Sequence, residues 1–241
     1  MSLDIRTRFV LLVNLIVILS GTILILLNIE VIKEVGVSIV ASGLVTLFYF
    51  AYPRTNIEEK YNEIIETGLT GVYVSRDLKD EYTKLLRNVK RNIDVLGLAL
   101  NKFREDNGDV VKAKCLEGVS VRFLVMDPES KFFEVKAKEE GDIAGEIIKA
   151  PHEKLKAYIE EVNGFVESKD QGKKIEIKYY KSTPSTMIFR IDDTMYIGPY
   201  LHKRISRKTC TFRLRKGSEL FRQYEAHFEQ LWNDSKFTRI P

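Results

Sequence analysis

Seven basic side chains, Lys203, Arg204, Arg207, Lys208, Arg213, Arg215 and Lys216, fall within fourteen residues. Arg213 and Arg215 alternate with Phe212 and Leu214, so one strand face would present both cations. Such a patch suits an anion: lipid headgroups, a nucleotide or nucleic acid. At about 1 kcal/mol per basic residue near an anionic leaflet, four contacts would matter to a domain tethered there. A solvated strand face would carry the same residues, and only Tyr200 and Phe212 interleave as stacking groups. Other chemistry is sparse. His152, His202 and His227 are too scattered to propose a metal site, and neither Cys115 nor Cys210 has a partner at ligand spacing. His202, beside Lys203 and Arg204, reads as a solvated surface group, with a functional role as the lesser alternative. No glycine-rich loop followed by Lys-Ser or Lys-Thr occurs, so nothing points to ATP or GTP hydrolysis. No cofactor is implied.

The elements that must position this patch begin with two apolar runs. Phe9 to Leu27 holds no charge in nineteen residues, and Val35 to Tyr52 none in eighteen. As a helix each is about 27 Å long, close to the hydrocarbon thickness of a bilayer. A helix inside a soluble core is rarely apolar on every face for so long, and the chain reads as a membrane protein. A cleaved signal peptide would have a shorter run and a small-residue cleavage pattern, whereas here a second apolar run arrives within eight residues. The link Asn28 to Glu34 is short, so the two helices are expected to be antiparallel neighbours. Arg6 and Arg8 precede the first and Arg54 and Lys60 follow the second, while the link holds one lysine. The positive-inside rule then places both termini on the cytoplasmic side of a bacterial inner membrane, with the remaining 189 residues in the cytosol. Two cysteines in that part imply no disulfide framework.

Ser38, Ser42 and Thr46 recur at four-residue spacing, with Gly36, Ala41 and Gly43 close by and Asn14 in the first run. The stripe predicts close helix packing. It serves either within one hairpin or between hairpins of a homo-oligomer whose hydroxyls face a wet lumen. No Asp, Glu, Lys or Arg lies within the spans, which argues against an ion-coupled transporter.

Residues 1–52 hold three basic and three acidic side chains, so the formal charge of +4 belongs to residues 53–241. That excess suits an anionic leaflet and is not a strong nucleic-acid signature. The expected division is a transmembrane hairpin over 1–52, a connector helix over 53–67 and a cytosolic domain over 68–241. Pro53-Arg54-Thr55-Asn56 reads as a stop and cap, Ile57 to Glu66 as the charged connector, and Gly68 and Gly71 as punctuation. Leu78 to Asn92 has helical spacing. Ile93 to Leu100 and Val119 to Met126 look like buried strands. Phe132 to Phe165 is charged and helical, interrupted near Gly141 and Pro151. Strands follow at Lys174 to Tyr180, Met187 to Ile191, Thr194 to Ile197 and Thr209 to Arg215, with Asp192-Asp193 as a tight turn. Ser218 to Asp234 closes as an amphipathic helix. That order predicts an α/β fold with a mixed sheet flanked by helices.

Two of these strands, Arg91 to Leu98 and Val121 to Pro128, resemble the first two strands of a phospholipase D-like half-domain. Met187 to Asp193 through Tyr196-Ile197-Gly198-Pro199-Tyr200 resembles its motif strand and the glycine turn after it, and Phe221 to Trp232 its final helix. The resemblance spans roughly Thr70 to Asp234. In active members it implies a His, any residue, Lys, four residues, Asp motif, with His attacking phosphorus, Lys neutralising phosphate and Asp orienting or reprotonating. Aligning that Asp on Asp192 puts Ser185 at the His position and Met187 at the Lys position. A serine without a base is a weak nucleophile, and a thioether offers phosphate no charge. Ser185, Met187, Phe189 and Ile191 would share one strand face by alternation. Active members also need two motifs, and this chain holds one altered copy, so the resemblance implies a degenerate domain without phosphodiesterase activity.

Three functions compete. The first is a non-enzymatic membrane effector that oligomerises and perturbs the inner membrane under control of its cytosolic domain. Its layout is similar to membrane-acting effectors of bacterial anti-phage systems, an analogy of architecture. The second is a membrane-tethered module that recruits a regulatory protein, nucleotide or nucleic acid through a former phospholipase D-type pocket. The third is an active phosphodiesterase, against which Ser185 and Met187 argue. The first is preferred, with lipid bilayer and further copies of the chain as partners.

Overall fold

The structure is a computed structural model that describes residues 5–27, 29–139 and 146–241. The expected break at Gly141 and the link residue Asn28 lie outside the described residues. The chain divides into two compact units, residues 1–64 and 65–241.

The first unit contains helix α1 (Ile5–Leu26) and the greater part of α2 (Glu30–Thr67). The polar residues expected to form the link belong to the first turn of α2, which starts at Glu30. Helix α2 also continues through Pro53-Arg54-Thr55-Asn56, where a stop was expected, so hairpin helix and connector are one element. A proline forfeits one backbone bond, and a single lost bond does not force a long helix to end. Glycines set the approach of α1 to α2. A Cβ on Gly36 would stand 2.7 Å from the Gly21 carbonyl oxygen, and one on Gly43 2.7 Å from Ile18 Cγ1. Asn14 is also buried and donates to the Val10 carbonyl at 3.0 Å. The Ser38, Ser42 and Thr46 hydroxyls are exposed and donate back to the carbonyls of Glu34, Ser38 and Ser42 at 3.1, 2.8 and 2.8 Å. Gly43 therefore packs inside the hairpin, and the hydroxyl stripe lies outside it.

The second unit is built on eight strands: β1 (Leu69–Tyr73), β2 (Asn92–Gly97), β3 (Ser120–Met126), β4 (Ile175–Tyr180), β5 (Thr186–Ile191), β6 (Thr194–Pro199), β7 (Thr211–Arg215) and β8 (Thr238–Arg239). They form one sheet in the order β1-β7-β6-β5-β2-β3-β4-β8. β2, β3 and β4 are parallel, and every other pairing is antiparallel. Central strands covered on both faces lose the polar alternation of a half-exposed strand, which is why β2 and β3 read as apolar runs. Among the described residues, five α-helices, α3 (Lys79–Asn88), α4 (Asn101–Leu116), α5 (Lys131–Glu139), α6 (Glu146–Ser168) and α7 (Glu219–Asn233), and a short 3-10 turn, Ser206–Lys208, complete the unit. The mixed α/β architecture matches the expectation.

Each sheet face has its own core. Ile93, Val95, Phe123, Phe189 and Tyr196 pack under residues of α3, α4 and α6. Leu96, Leu124, Ile188, Met195 and Leu214 pack under Phe221, Phe228 and Trp232 of α7. The second face also buries Asp94, which accepts from Arg122 at 2.7 Å and lies 3.4 Å from Arg190. Those arginines reach Glu229 (2.6 Å) and Glu225 (2.8 Å) on α7, so the sheet–helix seam holds a connected ionic network. Helix α6 runs through Pro151 without the expected interruption. A proline in a helix interior costs about 3 kcal/mol, and four buried apolar side chains of this helix, Leu155, Ile159, Val162 and Val166, contribute about 1.5–3 kcal/mol each. Burial wins. Helix α4 was not anticipated because its sequence is largely charged and contains Gly108. That glycine lets Tyr158 of α6 close in, with a bond of 2.7 Å from its hydroxyl to the Gly108 carbonyl.

Candidate functional site

The three motif positions on and beside β5 are not brought together. Asp192 has φ +49° in the turn to β6, a backbone shape that Asp and Asn tolerate better than most residues. Its carboxylate accepts from the backbone N–H groups of Lys90 (2.8 Å), Arg91 (2.9 Å) and Asn92 (3.0 Å). It clamps the hairpin to the start of β2. Met187 lies at the other end of β5, half-buried against the first core, with Phe189 and Ile191 on the same face as expected. Ser185 precedes the strand, is exposed, and lines a separate cavity of about 340 Å³ with Thr186, Tyr224 and His227. Burial holds the His227 imidazole below its ordinary pKa there.

Met187 and Phe189 instead form the wall of a larger cleft, about 480 Å³, beyond the C-terminal end of β2. Ligands bind beyond the carboxyl ends of parallel strands because chain reversal opens a crevice there. Three segments converge: the approach to α3 (Arg76–Lys79), the β2–α4 turn with the first residues of α4 (Gly97–Phe103), and a loop ending at Arg207. Its rings contact edge-to-face, Tyr82 on Phe189 at 4.9 Å and Phe103 on Phe189 at 5.1 Å. Burial pushes the Tyr82 phenol pKa well up, against a smaller downward pull from Arg76. Arg76 donates through Nη2 to the carbonyls of Gly198 (2.8 Å) and Pro199 (2.6 Å), and its guanidinium lies 4.8 Å over the Tyr200 ring. Only glycine fits at 198, since a Cβ would stand 2.7 Å from the Cys210 carbonyl oxygen and 2.9 Å from Arg76 Nε. Leu100 has φ +51° at the start of α4, a strained geometry for a side chain of this size. At the rim, Lys79 and Lys102 share Asp106 at 3.7 and 3.0 Å, and Asp77, Glu105 and Arg207 are exposed. None of the cleft residues was singled out in the sequence apart from Met187, Phe189, Tyr200 and Arg207. Their common signal is an aromatic or basic type at strand ends, which is weak without a fold.

The basic cluster divides. Arg213 joins β1 and α3 to β7: it pairs with Glu81 at 2.8 Å and donates to the Thr70 carbonyl at 3.1 Å. Burial raises the Glu81 carboxyl, but hydrogen bonds from Tyr196, Tyr73 and Arg213 outweigh it and hold the pKa below the ordinary range. Lys216 pairs with Asp193 at 3.0 Å. Lys203, Arg204, Arg207 and Lys208 are exposed in the loop beside the cleft, with Leu201 and Ile205, and Arg215 is exposed on β7. Those five make no ion pair among the described residues.

This chain is similar in structure to phosphatidylserine synthase from Haemophilus influenzae, at 14% identity over 70% of this chain and a TM-score of 0.50. It spans 38% of that protein's length. It is also similar to Nuc from Salmonella typhimurium, a phospholipase D family member (14% identity, 71% of this chain and 97% of that one, TM-score 0.43). TrmBL2, an archaeal chromatin protein, is similar at 11% identity over 81% of this chain and 68% of its own (TM-score 0.41). Only the first reaches a TM-score of 0.5, and at that identity it shows a shared fold and nothing of function. A search of curated proteins finds no match. Sheet order places the second unit in the class of mixed α/β domains, and two helices long and apolar enough to cross a membrane precede it in the sequence. By sequence the chain belongs to the family described as Domain of unknown function (DUF5919), whose profile matches residues 60–239.

Proposed function

We propose that this chain is a non-enzymatic, membrane-anchored effector. Its two apolar helices sit in a bacterial inner membrane with both termini cytoplasmic, associate with those of other copies and perturb the bilayer when the cleft of the second unit is engaged. The cellular setting we propose is anti-phage defence. The observation that carries the reading is the cleft wall on β5, where Met187 and Phe189 stand and Ser185 is turned into another cavity. A thioether beside a phenyl ring can bind an apolar group and cannot neutralise a phosphodiester in a transition state. The membrane part is supported by the bareness of the first unit. Only 11% of each apolar window, Phe9–Leu26 and Glu30–Tyr49, is buried. A contiguous apolar surface of that extent would associate in water.

The test is membrane potential in bacterial cells, read with a voltage-sensitive dye minutes after induction. Depolarisation is expected, and Ser42→Leu should abolish it in a protein that still reaches the membrane. Ser42 is the informative position because Gly43 holds the hairpin itself together. Normal potential with folded protein in the membrane would overturn the effector reading and favour recruitment of a partner. Hydrolysis of bis(p-nitrophenyl) phosphate that Ser185→Ala removes would overturn its non-enzymatic part.

A further inference from the structure

We infer that the cleft between β2, α4 and β5 takes a nucleoside monophosphate, its phosphate on Arg76 and the first turn of α4 and its base against the aromatic wall. The inference rests on reading the cleft as a binding rather than a hydrolytic site. Its volume of about 480 Å³ falls within the ordinary range for small-molecule sites, so an intact mononucleotide can enter.

Arg76 supplies the first argument. The side chain is half-buried, its Cζ lies 4.8 Å over the Tyr200 ring, and it pairs with no carboxylate among the described residues. Two carbonyls satisfy Nη2, while Nε is buried without a hydrogen-bond partner. A guanidinium drawn partly out of water without a counter-ion is an unbalanced charge, and a phosphate in the cleft would supply the missing negative charge.

Two further features converge on the same place. Helix α4 is 16 residues long, begins at Asn101 and has no side-chain cap, and Asn101–Phe103 line the cleft. The free N–H groups and positive dipole end of a helix attract a phosphate. Tyr82, which also lines the cleft, is 8% exposed and its hydroxyl has no hydrogen-bond partner. A buried polar group without a partner is costly unless a ligand or water supplies one. The exposed cation of Arg207 at the mouth adds attraction for an entering anion.

The rest of the wall decides between ligand classes. Phe103, Phe189, Met187 and Tyr200 present rings and a thioether, which inorganic phosphate would leave unused. An uncharged aromatic molecule would leave Arg76 without its counter-ion. A ligand with a flat apolar part and a phosphate at one end satisfies both, and aromatic side chains stack any base without reading its edge. Discrimination among bases is therefore expected to be weak.

The full chain in lipid nanodiscs, titrated calorimetrically with AMP, adenosine and ribose 5-phosphate, tests the assignment. AMP should bind at least about tenfold more tightly than either fragment, the factor expected when a charge-assisted contact adds to ring burial. Arg76→Gln should lower AMP affinity to the level of adenosine and leave adenosine unchanged. Because Arg76 also ties down Gly198 and Pro199, Met187→Trp serves as a second variant: it fills the cleft from β5 and should abolish binding of AMP while Arg76 stays in place. No heat from AMP with the folded wild-type chain, or equal affinity for AMP and ribose 5-phosphate, would overturn the inference. Such a failure is distinct from failure of the effector reading, which shows as unchanged membrane potential or as hydrolysis of bis(p-nitrophenyl) phosphate.

Discussion

Replacing Asp192 should destabilise the second unit rather than abolish any chemistry, and the size of the effect follows from its contacts. The carboxylate accepts three backbone N–H groups, two on exposed residues and one on half-buried Asn92. A hydrogen bond to a charged group contributes about 1.5–3 kcal/mol where it is sheltered, and an exposed one nearer 0.5 kcal/mol. The backbone at φ +49° adds about 1 kcal/mol against alanine, which lacks the local hydrogen bonding that eases this conformation for Asp and Asn. Asp192→Ala should therefore cost about 3.5–5 kcal/mol. Asp192→Asn keeps the backbone preference and one acceptor oxygen, so about 1–2 kcal/mol is expected. Trp232 is the single tryptophan of the chain and packs in the α7 core, so its fluorescence during urea unfolding reports the second unit alone. With a slope of about 2 kcal/mol per molar urea, the alanine variant should melt about 1.8–2.5 M earlier. A loss below about 1 kcal/mol, or equal losses for Ala and Asn, would falsify the clamp role of Asp192.

Three other outcomes follow from the same contacts. Asp94→Ala leaves Arg122 and Arg190 beside the core with only their α7 carboxylates, and should cost about 3 kcal/mol in the same unfolding assay. Asp127 is buried; burial raises its carboxyl, but bonds from Arg239 and the Glu129 N–H outweigh this and hold it below the ordinary range. With Glu81 shifted the same way, both contributions are complete above the unfolded carboxylate range and are lost as pH falls through the depressed folded values. Acid unfolding followed at Trp232 should show this, and Asp127→Asn should flatten the pH dependence. Burial pushes the Cys115 thiol up to about 12, so iodoacetamide should modify Cys115 only on unfolding, as mass spectrometry of a urea series would show.

Much of the fold was legible where a pattern is local. The uncharged runs within α1 and α2 follow from removal from water along a whole helix, and the apolar runs of β2 and β3 and the spacing of Phe221, Phe228 and Trp232 along α7 follow from burial on a regular element. The failures were equally physical. Helix α4 hides behind charges and Gly108, because what stabilises it is contact with Tyr158 rather than its own periodicity. β8 is two residues long and exists through pairing with β4 and the reach of Arg239 to Asp127.

The candidate site was less legible than the fold. By itself the sequence determined two bilayer-length apolar segments and a mixed α/β domain, while the lysine position of a motif strand came to Met187 only through a resemblance. Tertiary structure alone decided that Ser185 and Met187 line different cavities, and that Asp192 secures a turn. It also split seven neighbouring cations into paired and free sets and left Arg76 lining a cleft with no carboxylate paired to it among the described residues. The reason is separation along the chain. Arg213 meets Glu81 across 132 positions and Arg76 meets Gly198 across 122, and no local period encodes contacts of that range.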